Sequence, residues 1–216
     1  MRATLPLTLG LALAGCSGTA PRLNGLPEQG MSAVIIGGRF ILPTGETKNG
    51  RIYINIEGEG GRQAEVYRLK VLPKESLLYQ IEPGLYRVSP TRGFFGGHQA
   101  MLTVKLEGST YKVPFPRDIL RKPAFDLKPK KIIAIGIVEA KLSTALPGQK
   151  AALRVRIDDS IDARRSLVQD LIHEMMDPSA SLEVREGAIS WSRALESSLM
   201  DLLSESQRSP LYKSAP

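Results

Sequence analysis

The chain has 216 residues, with 29 Lys and Arg against 22 Asp and Glu and a formal net charge of +7. Its one cysteine excludes an intramolecular disulfide, so an exported domain built from it must be held by its core alone. No stretch beyond the first sixteen residues approaches the roughly 18 apolar residues of a membrane-spanning helix, and the positive bias favours polyanionic partners.

Arg2 supplies a minimal positive segment, and residues 5–14 form an apolar run broken by Pro6 and ending in the small residues Ala14 and Gly15. That is the layout of a secretory signal peptide, since about ten apolar residues cannot cross a hydrocarbon core of about 30 Å. Leu13, Ala14, Gly15 and Cys16 resemble the lipobox of bacterial lipoproteins at each of its four positions. The resemblance implies removal of residues 1–15, a diacylglyceryl thioether on Cys16 and a further acyl chain on the new amine. Two or more chains give stable anchoring, each buried CH₂ contributing about 0.8 kcal/mol. Ser17, in place of an aspartate, implies the outer membrane by the rule of enteric-type lipoproteins, with the protein expected to face the periplasm. Without Arg2, 28 basic residues face 22 acidic ones. A lipid-anchored chain of that charge is expected to meet anionic head groups, an acidic glycan or an envelope protein, and no nucleic acid.

Residues 16–30 are rich in Gly and Pro and carry no apolar period, which predicts a lipidated N-terminus and flexible tether. From Met31 the texture changes to short β-branched and aromatic runs between turn signals. Strands are expected over 33–42, 51–57, 64–72, 77–82, 85–89, 100–106, 111–115, 131–140 and 151–157. Ile52, Ile54 and Ile56 share one face of RIYINIE, while Arg51, Tyr53, Asn55 and Glu57 share the other. Such alternation marks antiparallel sheets with one face in water. KIIAIGIV (131–138) is apolar on both faces and is the expected most buried strand. Gly136 within it, like Gly37 and Gly38 in the first strand, suggests a bulge or a close backbone approach.

From Ser160 the period lengthens. Ile161, Leu167, Val168, Leu171, Ile172, Met175 and Met176 recur at helical spacing, with Asp159 or Ser160 as N-cap and Asp177-Pro178 as the stop. A second helix is expected over 182–205, with Val184, Ala188, Trp191, Leu195, Leu199 and Leu202 along one stripe. The expected architecture is mainly β: an antiparallel β-sandwich over 31–158, a C-terminal helical hairpin over 159–207 docked on it, and a tail over 208–216.

QIEPGLYRVSP (80–90) and FDLKPKKIIAIGIVEA (125–140) are similar to a pattern in small bacterial lipoproteins. There, a Pro-Gly-x-Tyr turn opens one strand and a later strand carries a glycine flanked by isoleucines. The pattern is similar also to transthyretin-like and carboxypeptidase-regulatory-like sandwiches. The resemblance implies a transthyretin- or immunoglobulin-like fold acting as a binding or scaffold module without catalytic residues.

No G-x-S-x-G elbow, H-E-x-x-H motif or P-loop occurs. GEGGR (58–62) is read as a hairpin turn, and DDSID (158–162) as helix capping, since it lacks the glycine and distal Glu of an EF-hand loop. His98 and His173 stand apart, so no metal or cofactor is expected. Two candidate partner surfaces remain. One is RGFFGGH, whose Phe94 and Phe95 can stand exposed at a loop tip. The other is the proline-broken segment 114–131, where Arg117, Arg121, Lys122, Lys128, Lys130 and Lys131 oppose two aspartates. The function these features imply is a non-catalytic binding or scaffold module in a cell-envelope complex. The alternative is an envelope enzyme acting on glycan or lipid through carboxylates that converge only in the fold.

Overall fold

The structure is a computed structural model that describes residues 30–59, 66–90, 101–122, 124–144, 152–179 and 182–208. The expected signal segment, Cys16, the expected tether up to residue 29, Phe94, Phe95, His98, most of the 58–62 segment and the residues beyond 208 lie outside it.

The described chain is mainly β with a helical C-terminal part. Eleven strands are described: β1 (Ser32–Leu42), β2 (Gly45–Glu46), β3 (Gly50–Gly58), β4 (Val66–Val71), β5 (Ser76–Ile81), β6 (Gly84–Ser89), β7 (Met101–Leu106), β8 (Ser109–Pro114), β9 (Phe125–Leu127), β10 (Ile132–Leu142) and β11 (Leu153–Asp158). The described helices are α1 (Arg117–Leu120), α2 (Ile161–Met176) and α3 (Leu182–Arg208). The first sheet runs β11-β10-β1-β2, with β5 also paired to β1. The second runs β8-β7-β3-β6-β9, with β4 on the other edge of β3.

Pairing is antiparallel except where β1 lies parallel to β10, from Ala33 opposite Ile132 to Ile41 opposite Lys141. The expectation of antiparallel pairing fails at this one place, and the reason is burial. β1 and β10 are apolar on both faces because each face meets a separate core, the setting in which parallel strands occur. Val34, Ile36, Phe40, Val138 and Ala140 join Ile52, Ile54, Ile56, Leu69 and Val104 in a cluster drawn from both sheets. Ala33, Ile35, Ile132 and Ala134 join Leu167, Val168, Trp191, Leu195 and Leu202 in a second cluster, under the helices. The most buried strand is β1, whose first six residues are all buried, whereas β10 alternates between buried and half-buried positions.

Helix α2 begins where expected, with Ser160 Oγ accepting from Ala163 N at 3.2 Å. It stops at Asp177, held extended by the following proline. A Cβ on Gly37 would fall 2.3 Å from Leu167 Cδ2, so the absence of a side chain there lets α2 sit directly on β1. The segment 114–131, expected to lack regular structure because of its prolines, contains the single turn α1 and the three-residue β9. Its first proline closes β8 and the second precedes α1, positions where proline needs no N–H partner.

Candidate functional site

Alternation on the second sheet places a group of cations on the face turned away from the core. Ile52 and Ile54 of β3 point inward with Leu69, Val71, Leu102, Val104 and Val113. Their neighbours Arg51, Tyr53, Arg68, Lys70, Lys105 and Lys112 therefore share the opposite face. Register brings them together: Arg51 stands opposite Lys105, Tyr53 opposite Lys70 and Asn55 opposite Arg68, while Lys112 lies across from Thr103. The Arg68 guanidinium sits 4.1 Å from the centre of the Tyr53 ring. Arg51, Lys70, Lys105 and Lys112 form no ion pair among the described residues. The acids of this face, Glu57 and Asp126, lie toward its β6–β9 end. Five cations thus spread over four adjacent strands, about 14 Å across at the usual strand spacing.

Two cavities flank α1 and share Val88, Ile119 and Lys122. The larger, about 650 Å³, is bordered by Glu57, Glu59, Arg87 and Ser89. The smaller, about 340 Å³, has apolar walls from Phe125, Ile133, Ile135 and Ile157, with Lys122, Asp159, Arg164 and Glu205 among its lining. Three of the carboxylates here are tied to cations: Glu59 to Arg87, Asp159 to Lys122, and Glu205 Oε1 to Arg164 Nη2 at 2.6 Å.

The basic residues singled out in segment 114–131 have different settings. Arg117, Arg121, Lys128 and Lys130 are exposed, and Lys122 takes part in both cavities. Lys131 is engaged with α3, its Nζ donating to Ser197 Oγ at 2.6 Å and to Asp201 Oδ2 at 3.2 Å. The backbone of this segment ties down β1: Ser32 Oγ donates to Lys128 O at 2.7 Å, and Lys130 N to Met31 O at 3.1 Å. The cationic face of the second sheet was missed by sequence reasoning. Its signal lay in the outward positions of the alternating strands, but only register shows that those positions adjoin.

Two carboxyls are held below the usual carboxylate range. Asp158 is lowered first by hydrogen bonding from the Ser160 side chain, and Asp177 by that from Ser179, whose Oγ donates to Asp177 Oδ1 at 2.7 Å. Both sit at helix boundaries, in keeping with capping. No group of three or more potential metal ligands occurs among the described residues. None of the described helices is long and apolar enough to cross a membrane. No protein-family model matches the chain, and none of the curated proteins searched is similar to it in sequence.

Proposed function

We propose that this chain is a lipid-anchored protein of the bacterial outer membrane, facing the periplasm. There it acts as a non-catalytic binding or scaffold module, with a transthyretin-like sandwich as its body. The outer face of the second sheet is its docking surface for an acidic glycan.

The observation that carries the docking surface is the group of cations on β3, β4, β7 and β8, of which Arg51, Lys70, Lys105 and Lys112 have no ion pair among the described residues. Like charges directly opposite on neighbouring strands, as in Arg51 and Lys105, oppose folding. A polyanion laid across the four strands relieves that repulsion and gains from each cation. The lipobox Leu13-Ala14-Gly15-Cys16 supports the anchor.

Binding of the full chain to a carboxylated polysaccharide, measured at low and moderate salt, tests the docking surface. Lys105→Glu combined with Lys112→Glu is expected to weaken it about 30-fold, at about 1 kcal/mol for each cation lost. Binding should also fall steeply with salt. Affinity unchanged by the double substitution removes the surface from consideration. Incorporation of a palmitate analogue that disappears in Cys16→Ala is the corresponding test of the anchor.

A further inference from the structure

The smaller cavity beside α1 has walls and a mouth of different chemistry. Ile133, Ile135, Ile157 and Phe125 give it apolar sides, and its volume of about 340 Å³ falls within the range of small-molecule sites. Ile133 and Ile135 remain half-buried although they face the core, because the cavity lies beside them. Among its polar lining residues, Arg164 is incompletely used. A guanidinium carries five N–H donors, yet the one acceptor Arg164 meets among the described residues is Glu205. Its Nε is buried without a partner among the described residues. Buried donors are nearly always satisfied, and leaving one unpaired opposes folding. A second cation, Lys122, lines the same cavity.

We propose that this cavity binds a single-chain amphiphile, an aliphatic tail ending in an anionic oxygen group. The tail lies along Ile133, Ile135 and Ile157, and the head accepts hydrogen bonds from Arg164. The site is separate from the cationic sheet face and does not depend on it. Tail recognition is by area, so affinity follows chain length; head recognition is by charge, so an alcohol of equal length is a poorer ligand.

Calorimetric titration of the full chain carrying Cys16→Ala tests both parts. Decanoate is expected to bind, octanoate about tenfold more weakly for two methylenes fewer, and 1-decanol at least tenfold more weakly than decanoate. Arg164→Gln should bring decanoate down to the level of the alcohol with little change in melting temperature. Ile135→Phe, which fills the cavity, should abolish binding. Decyl phosphate titrated in parallel distinguishes a phospholipid-derived head from a carboxylate, and tight binding of either one supports the site. Lys105→Glu with Lys112→Glu should bind decanoate like the parent, which separates failure of this site from failure of the glycan surface. The proposal is overturned if neither decanoate nor decyl phosphate binds, if affinity ignores chain length, or if the alcohol binds as well as the acid. That ligand series needs no substituted chain, so it decides the matter even if Ile135→Phe does not fold.

Discussion

Gly136 has φ +137°, a conformation that side chains other than glycine rarely adopt, and a Cβ there would lie 2.4 Å from Asp158 O. Both constraints arise from one bulge. Ile35 pairs with Ala134 and Ile36 with Gly136, so Ile135 is the extra residue of β10. The insertion switches parity along the strand. Before it, Ile133 and Ile135 face the cluster between the sheets; after it, Val138 and Ala140 do. Without the bulge, one half of β10 would present its residues to the wrong core. A glycine in an isoleucine run announced this in the sequence, although which of a bulge or a close approach it marked was left open; it is both. Gly136→Ala is expected to destabilise by about 2 kcal/mol or more, read as a lower urea midpoint. The carbonyl it would strike belongs to the corner leading into α2, where Ser160 N donates to Asp158 Oδ1 at 3.1 Å. Because the Asp158 carboxyl is lowered in the folded state, its contribution is present above the unfolded value of about 4 and is lost as pH falls through the folded one. Asp158→Asn should therefore lower stability at pH 7 and flatten the decline toward pH 3, as measured by denaturation across that range. Ser160→Ala, which removes the acceptor for Ala163 N, should destabilise by about 1 kcal/mol.

At the scale of elements, the strands with one wet face were legible because period 2 needs only local sequence. β3 alternates as expected and β7 alternates too, and their inward isoleucines, leucines and valines are fully buried. Elements too short to carry a period were not legible: α1 has four residues, β9 three and β2 two. The parallel pairing of β1 with β10 was also hidden, since about 100 residues separate the partners, and an apolar run does not say what lies beside it. The same limit concealed the cationic face. Arg51, Lys70, Lys105 and Lys112 each read as an ordinary solvent-facing residue, and only the register makes neighbours of them. That register ties function to stability in opposite directions. Lys105→Glu alone places a carboxylate opposite Arg51, replacing repulsion with attraction worth about 0.2–1 kcal/mol. The expected outcome is a higher melting temperature together with weaker polysaccharide binding. A simultaneous loss of stability and binding would mean that Lys105 serves the fold rather than a partner.

At the scale of the whole molecule, the helices were expected as a hairpin appended to a β domain, with a boundary near residue 158. The second cluster crosses that boundary. Trp191, the chain's one tryptophan, is 2% exposed and packs with Leu195, Leu202, Leu167 and Val168 against Ala33, Ile35, Ile132 and Ala134. Those four strand residues belong to β1 and β10, the strands that also supply Val34, Ile36 and Val138 to the cluster between the sheets. Losing the helices would strip one side of strands whose other side holds the two sheets together. Unfolding is therefore expected to be a single event. Trp191 fluorescence, which reports the helix–sheet contact, and far-UV circular dichroism at a β-dominated wavelength should trace coincident curves in urea. Trp191→Ala should lower both midpoints together, by about 3–5 kcal/mol of stability. If instead the fluorescence changed first and left the β signal in place, the helices would form a separable layer. They would then be free to leave the sheet for another protein.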